Sequence, residues 1–307
     1  MDVSIIIVNY NTISLLTDAV DSVFEKTEGI EYEIIVVDNN SSDNSKNILA
    51  EKYGNRVNFI GLPENIGFGR ANNEAVKIAK GRNIFFLNPD TILLNNAVKI
   101  LSDYLDNNPR VGCCCGNLLD IDKNPTHSFS RYCIPSIFEE INQLFFRLPG
   151  KLLYGKNTIY NNTNKPLKVA YITGADLMIR KDIFDVHNGF DPAFFMYYEE
   201  AELEYRVKNN NYLIISVPFA QIIHLEGKSF SNYLDRLEKM LNSRLCFLQK
   251  TNNFISIRII NFLFISRIIS RLFIFTILRN NEKIAFWSKM YKLVITPLFD
   301  GEDKYIY

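Results

Sequence analysis

Four apolar runs in the segment 1–90 each stop at a cluster of Asn, Asp or Gly, and this recurrence narrows the folds open to the chain. Val3–Val8, Glu33–Val37, Val57–Ile60 and Ile84–Leu87 are continuous runs, as strands are when both faces of a sheet are covered. Between them, Leu15–Phe24, Ile48–Tyr53 and Asn72–Ala79 carry helical spacing. Strands alternating with helices predict an α/β fold, a doubly wound and mainly parallel sheet with right-handed crossovers. Ligands of such sheets bind beyond the carboxyl ends of the strands. The candidate site is therefore the set of polar clusters there: Asn9-Tyr10-Asn11, Asp38 to Asp43, Pro63 to Gly67, and Asn88-Pro89-Asp90. Turn chemistry favours the same residues, so each alone reads as structural and only their recurrence points to a ligand.

With 307 residues, 47% of them apolar, the chain fits one large domain or two smaller ones, and global disorder is excluded. From Cys113 to Pro166 the pattern is less regular and reads as a long excursion serving as a lid or acceptor region. Strand-like pieces return at Val169–Thr173, Leu177–Ile179, Ile214–Val217 and Gln221–Ile223. The expected division is a catalytic region, 1–230, and a helical carboxyl-terminal region, 231–307. Net charge is zero, but Lys228–Lys292 holds 12 Lys/Arg against three acids, Asp235, Glu238 and Glu282. A basic tail on an acidic body predicts an anionic partner or a solvated helical face. Within it, Ile259–Leu278 is apolar enough to approach a membrane but contains Arg267 and Arg271. Charges at a bilayer centre cost roughly 2.5 to 3.5 kcal/mol each, so the expectation is an interfacial helix with its arginines toward head groups, or a core helix. Met1-Asp2 leads into a short apolar stretch without the pattern of a signal peptide. The five cysteines, three of them consecutive (Cys113, Cys114, Cys115), read as buried free thiols of a reducing compartment. The expected location is cytoplasmic, peripheral on the inner face of the membrane.

The chemistry-bearing candidates follow from position. Asp38, ending an apolar run, can accept hydrogen bonds from a ribose hydroxyl or a base N–H, or cap a turn. Asp90 can hold a hard divalent cation between phosphates, or close a turn. Glu199, Glu200, Glu202 and Glu204 crowd behind aromatic Phe194, Phe195, Tyr197 and Tyr198. This setting can raise one carboxyl toward a general-base role, although acids also favour helix starts. His224 follows an apolar run and precedes Glu226-Gly227-Lys228-Ser229, a phosphate or metal neighbourhood if not merely structural.

Together these segments resemble family 2 glycosyltransferases of the A-type fold. The likeness is carried by Ser4 to Asn11, Val36 to Asp43, Asn65 to Asn73, Leu87 to Thr91, Thr173-Gly174-Ala175, Gly189-Phe190-Asp191, Phe195 to Leu203 and His224. It covers about residues 1–230 and is nearest to rhamnosyltransferase-like members. The resemblance implies that Asn9, Asp38, Asn65, Gly67, Arg70, Asn72, Asn88 and Asp90 bind a nucleotide-diphosphate sugar. It implies that Asp90 holds Mg²⁺ or Mn²⁺, with His224 as a second ligand. Glu200 aligns with the family's usual catalytic Asp, a departure in length that keeps Glu199 open as the base. The implied reaction is inverting transfer to a saccharide hydroxyl, lipid-linked, in cell-surface polysaccharide synthesis; nucleic acid is not an expected partner. Two rivals are a nucleotidyltransferase, which would favour a Gly-rich basic loop where this chain has Asn9-Tyr10-Asn11-Thr12, and a non-catalytic nucleotide-sugar-binding module, which would lose Glu200 or Asp90.

Overall fold

The apolar runs become buried strands whose alternate side chains enter two cores. The computed structural model describes residues 1–225 and 233–294. β1 (Val3–Asn9), α1 (Ile13–Lys26), β2 (Tyr32–Asp38), α2 (Ser45–Tyr53), β3 (Val57–Gly61), α3 (Phe68–Val76) and β4 (Asn83–Leu87) follow the predicted alternation. Next come β5 (Thr91–Leu93), α4 (Ala97–Asn107), β6 (Val111–Leu119), β7 (Phe129–Ser130), α5 (Ile137–Leu144) and α6 (Leu148–Tyr154). β8 (Leu167–Lys168), β9 (Tyr171–Ile172), β10 (Asp176–Arg180), α7 (Lys181–Val186), α8 (Glu199–Asn209) and β11 (Leu213–His224) follow, then α9 (Tyr233–Thr251), α10 (Phe254–Ile277) and α11 (Asn281–Val294). They form two compact units, one from Met1–Arg131 and Lys156–Asn232, the other from Tyr132–Gly155 and Tyr233–Tyr307.

The first unit holds the sheet, in order β3-β2-β1-β4-β10-β6-β11-β5, with β8 on β11. β3, β2, β1 and β4 are mutually parallel, and the register sets Asn9 opposite Asp38 at the carboxyl edge. β10 runs antiparallel between β4 and β6. Ile5, Ile7, Val36 and Phe85 face a core with α1 and α4, while Ile6, Val8, Val37 and Phe86 face one with Ala71 and Ala75 of α3 and Leu203 and Val207 of α8. Neighbouring strand residues point to opposite faces, so two covered faces require the unbroken apolar runs seen in the sequence.

Two readings of the middle and late chain change. The irregular excursion does not begin at Cys113: β6 is buried along its whole length, with Cys114 in one core and Cys113 and Cys115 in the other. Cysteine packs as a small hydrophobe, and the three free thiols lie where strand alternation puts them. The pieces Ile214–Val217 and Gln221–Ile223 are one strand, β11, with a register shift between Ser216 and Gln221. Pro218 lies in that shift and has no N–H to give a ladder.

The second unit is helical. α5 and α10 pack together, and Leu237, Leu241, Phe264, Ile268, Met290 and Val294 form its main core. Arg267 and Arg271 of α10 are turned inward. Arg267 pairs with the buried Glu140 at 3.3 Å, and Arg244 pairs with it at 3.1 Å. Arg271 donates to the carbonyls of Gln143 and Leu144. A buried carboxylate needs such partners, and they draw the cations inward.

Candidate active site

Hydrogen bonds tie the carboxyl ends of β1 and β2 into one platform. The Asn9 amide nitrogen lies 2.9 Å from Asp38 Oδ1, 3.0 Å from Ser41 Oγ and 2.7 Å from Ser45 Oγ. Its oxygen accepts from the Thr12 hydroxyl at 2.8 Å. Asn9 was expected to line the ligand pocket, yet it is 0% exposed and acts beneath that surface, holding Asp38. Asp38 is also buried and takes the Ser41 N–H at 2.9 Å. Asp43 accepts the N–H of Ile13 at 2.9 Å, fixing the start of α1 to the same loop.

A second set joins this platform to the aromatic segment before α8. Asn39 donates to Asn65 Oδ1 at 2.9 Å and accepts the Ile66 N–H at 2.9 Å; Asn65 Oδ1 also takes the Gly67 N–H at 3.0 Å. Gly67 has φ +89°, and a Cβ there would lie 2.2 Å from the Phe195 carbonyl oxygen, so only glycine fits. That carbonyl accepts the Phe68 N–H at 2.9 Å. Arg70, exposed, grips the Pro192 carbonyl. Asn72 is buried and donates to the Phe68 carbonyl at 3.0 Å, while Asn73 clamps Phe190 by its N–H and its carbonyl.

The end of β4 meets the end of β11. The Asn88 N–H donates to the Ala175 carbonyl at 2.9 Å, and Asp90's carbonyl takes the Leu225 N–H. β5 pairs with β11 so that Thr91 faces His224, which sets His224 Nε2 3.3 Å from Asp90 Oδ1. Both are largely buried. Two donor atoms about 3 Å apart fit neighbouring positions on a cation with bonds of about 2.1 Å at right angles. Among the described residues no cluster of three or more His, Cys, Asp or Glu could hold a metal, so such a cation would take its other ligands from phosphate and water. Glu226 to Ser229, also expected near the site, lie outside the described residues.

The four glutamates separate into distinct tasks. Glu202 forms a fork with Arg206, whose guanidinium also donates to the His187 and Gly189 carbonyls. Glu204 accepts the Ile172 N–H at 2.8 Å. Glu199 and Glu200 begin α8 after Tyr197 and Tyr198, which sit at φ +69° and +67°, a conformation costing non-glycine residues about 1–2 kcal/mol each. Glu199 is buried, and burial, then the Glu200 charge, raises its carboxyl well above the usual range. Burial also raises Glu200, but its own backbone N–H, a 2.8 Å hydrogen bond from the Tyr171 hydroxyl and the backbone amides of Gly174 and Ala201 oppose the rise. Of two adjacent carboxyls sharing a site, the one with more donors ionises first; that is Glu200. Glu200 also lies against Gly174, next to the Ala175 carbonyl bound by Asn88. A chain of contacts thus runs from Asn88 to Glu200, and a parallel one from Asp38 through Asn9 and the Asn39–Asn65–Gly67 link to Phe195.

Sequence reasoning missed Asn39, Asn73 and Tyr171. Asn39 and Asn73 sit inside recognised motifs beside chosen residues, but their bonds reach the 62–67 loop and Phe190, separations no local pattern reveals. Tyr171 lies in a two-residue strand pairing with β7, too short for any periodicity. A cavity of about 850 Å³ at the opposite edge of the sheet, by Arg82, Asp106 and Lys181, has its charges paired internally and shares nothing with this site.

Comparison with known proteins identifies the family and the fold. The low-salt glycan biosynthesis hexosyltransferase Agl10 of Haloferax volcanii is 26% identical over 263 residues, 80% of this chain and 76% of the relative. The N-acetylglucosaminyl-diphospho-decaprenol L-rhamnosyltransferase of Mycobacterium tuberculosis is 24% identical over 212 residues, 64% of this chain and 67% of the relative. The crystal structure of GalNAc-T7 with UDP, GalNAc and Mn²⁺ superposes with a TM-score of 0.59 at 16% identity, over 81% of this chain and 48% of that one; the shared architecture is the A-type glycosyltransferase fold. Residues 4–187 match the model of glycosyl transferase family 2, more than half of the chain, and the protein belongs to that family.

Proposed function

We propose that the chain is an inverting glycosyltransferase that moves a hexose or deoxyhexose from a nucleotide-diphosphate donor to a hydroxyl of a lipid-linked saccharide. The observation that carries this is the pairing of two half-sites on one sheet edge: Asp90 with His224, and Glu200 held by Tyr171 beside Gly174. The rhamnosyltransferase relative, whose name describes a diphospho-decaprenol acceptor, supports the lipid-linked class and keeps rhamnose as the first sugar to test. A peripheral position on the inner face of the membrane suits such an acceptor.

In this reading Asp38, oriented by Asn9 and the Ser41 N–H, accepts hydrogen bonds from the nucleoside, and the Asn39–Asn65–Gly67 link shapes the backbone beside it. Asp90 and His224 would hold Mg²⁺ or Mn²⁺, which when bound neutralises charge on the departing diphosphate. Glu200 takes the acceptor proton as its oxygen attacks the anomeric carbon from the face opposite the leaving group. Burial, then the Glu200 charge, favours the neutral form of Glu199 and so disfavours a second negative charge beside the base. No enzyme nucleophile is needed, which fits the burial of Cys113, Cys114 and Cys115.

Glu200→Gln tests the assignment. Transfer falls roughly 100- to 10,000-fold, the range of general-base contributions, while calorimetric binding of the nucleotide sugar with Mn²⁺ is retained. Loss of donor binding together with turnover overturns it.

A further inference from the structure

The helical unit carries a docking face that the catalytic reading does not use. Along α10, Ile255, Ile259, Phe262, Ile269, Phe273 and Ile277 recur at helical spacing and are between 41% and 69% exposed. At about 1.5 Å per residue this stripe is about 35 Å long. The connection from α5 into α6 adds Phe145, Phe146, Leu148, Leu152 and Leu153, between 56% and 78% exposed. Isolated exposed leucines are ordinary, but this many exposed apolar side chains on α10 and on the segment that follows α5, the helix it packs against, mark an interaction surface.

What the face binds follows from its charges. The arginines that would make α10 a poor membrane ligand are consumed inside the unit. Arg267 and Arg244 close on Glu140, and Arg271 is bonded to Gln143 and Leu144 and lies 3.4 Å from the centre of the Phe146 ring. Exposed cations are close to these apolar residues along the chain: Arg147 and Lys151 within Phe145–Leu153, Arg258 next to Ile259, and Arg279 two residues after Ile277, with Lys283, Lys289 and Lys292 following on α11. The segment 228–292 carries 12 basic against three acidic residues. A second copy on this face would set cations against cations. An anionic lipid surface meets both demands, taking the apolar side chains into the acyl boundary and the cations among head groups.

We propose that this unit docks in the plane of an anionic bilayer through the α10 stripe and the Phe145–Leu153 segment. The inference deepens the lipid-linked acceptor reading but stands on separate residues. α10 lies along the surface without crossing it: although apolar and long enough to span, it is held by Arg267 and Arg271 to α5.

The test is co-sedimentation of the full chain with phosphatidylcholine vesicles with and without phosphatidylglycerol. Binding is expected with phosphatidylglycerol, decreasing with salt. Leu152→Ser/Leu153→Ser, at sites too exposed to disturb folding, lowers partition about tenfold or more by removing two inserted side chains. Arg147→Gln/Lys151→Gln removes much of the preference for phosphatidylglycerol. Unchanged partition in both variants overturns the proposal, as does a dimer in sedimentation velocity that Leu152→Ser/Leu153→Ser dissociates without lipid binding by the wild type. Glu200→Gln binds vesicles as the wild type does, and Leu152→Ser/Leu153→Ser keeps transfer to a water-soluble acceptor, so a failure here and a failure of the catalytic assignment give different results.

Discussion

Tyr171→Phe isolates the contribution of one hydroxyl to the base. The Tyr171 O–H donates to Glu200 Oε1 at 2.8 Å, and a hydrogen bond to a charged group is worth about 1.5–3 kcal/mol. That energy favours the ionised form of Glu200 alone, so its loss moves the carboxyl further upward, in the direction burial already pushes it. The acidic limb of kcat/KM then shifts to higher pH. Below the limb, activity falls about tenfold or more, since each 1.4 kcal/mol is a factor of ten. Above it, where the carboxyl is ionised in both enzymes, activity stays close to wild type. The assay is the pH profile of kcat/KM for donor transfer, with Tm recorded at each pH to confirm folding. A uniform loss across all pH values would refute the reasoning, since it would mean that Tyr171 positions the segment and leaves the ionisation of Glu200 untouched.

Gly67→Ala forces a Cβ against the Phe195 carbonyl at a left-handed φ; the expected outcome is a loss of about 2 kcal/mol or more in urea unfolding with a raised KM for the donor. Asp176 is fully buried, accepts the Gly116 N–H at 2.7 Å, and burial raises its carboxyl well above the ordinary 3.8. The folded state therefore holds this proton more tightly than the unfolded state, so stability from Asp176 is complete below 3.8 and is lost as pH rises toward the folded value. Asp176→Asn keeps an acceptor for Gly116, and in thermal melts its Tm declines less with rising pH than that of the wild type.

The parallel strands β1 to β4 were legible because unbroken apolar runs have few alternatives. β1 to β4 and their terminal Asn and Asp residues followed directly. β6 was hidden because Cys113-Cys114-Cys115 and the flanking Gly112 and Gly116 resemble no β-branched run, although the thiols pack as hydrophobes. Site residues at strand ends could be named, whereas their ranks could not: Asn9 and Asp38 look alike in sequence, and only the bonds show that one holds the other. The acidic run at 199–204 offered four carboxylates of equal standing. Their division depended on Tyr171, Arg206 and the Ile172 N–H, all brought in by the tertiary fold. The sequence left an interfacial and a core setting both open for Arg267 and Arg271 for the same reason, since Glu140 is far away along the chain.

That distance bears on how the molecule is made. Glu140 and Arg244 are 104 positions apart, so the ribosome delivers the acid, with the exposed phenylalanines and leucines just after it, well before any of its cations. Throughout that interval Glu140 has neither Arg244 nor Arg267 to pair with, and its carboxylate has to remain in water. A truncation at residue 230 would make this state permanent, removing both cations of Glu140 together with the helices that complete its core.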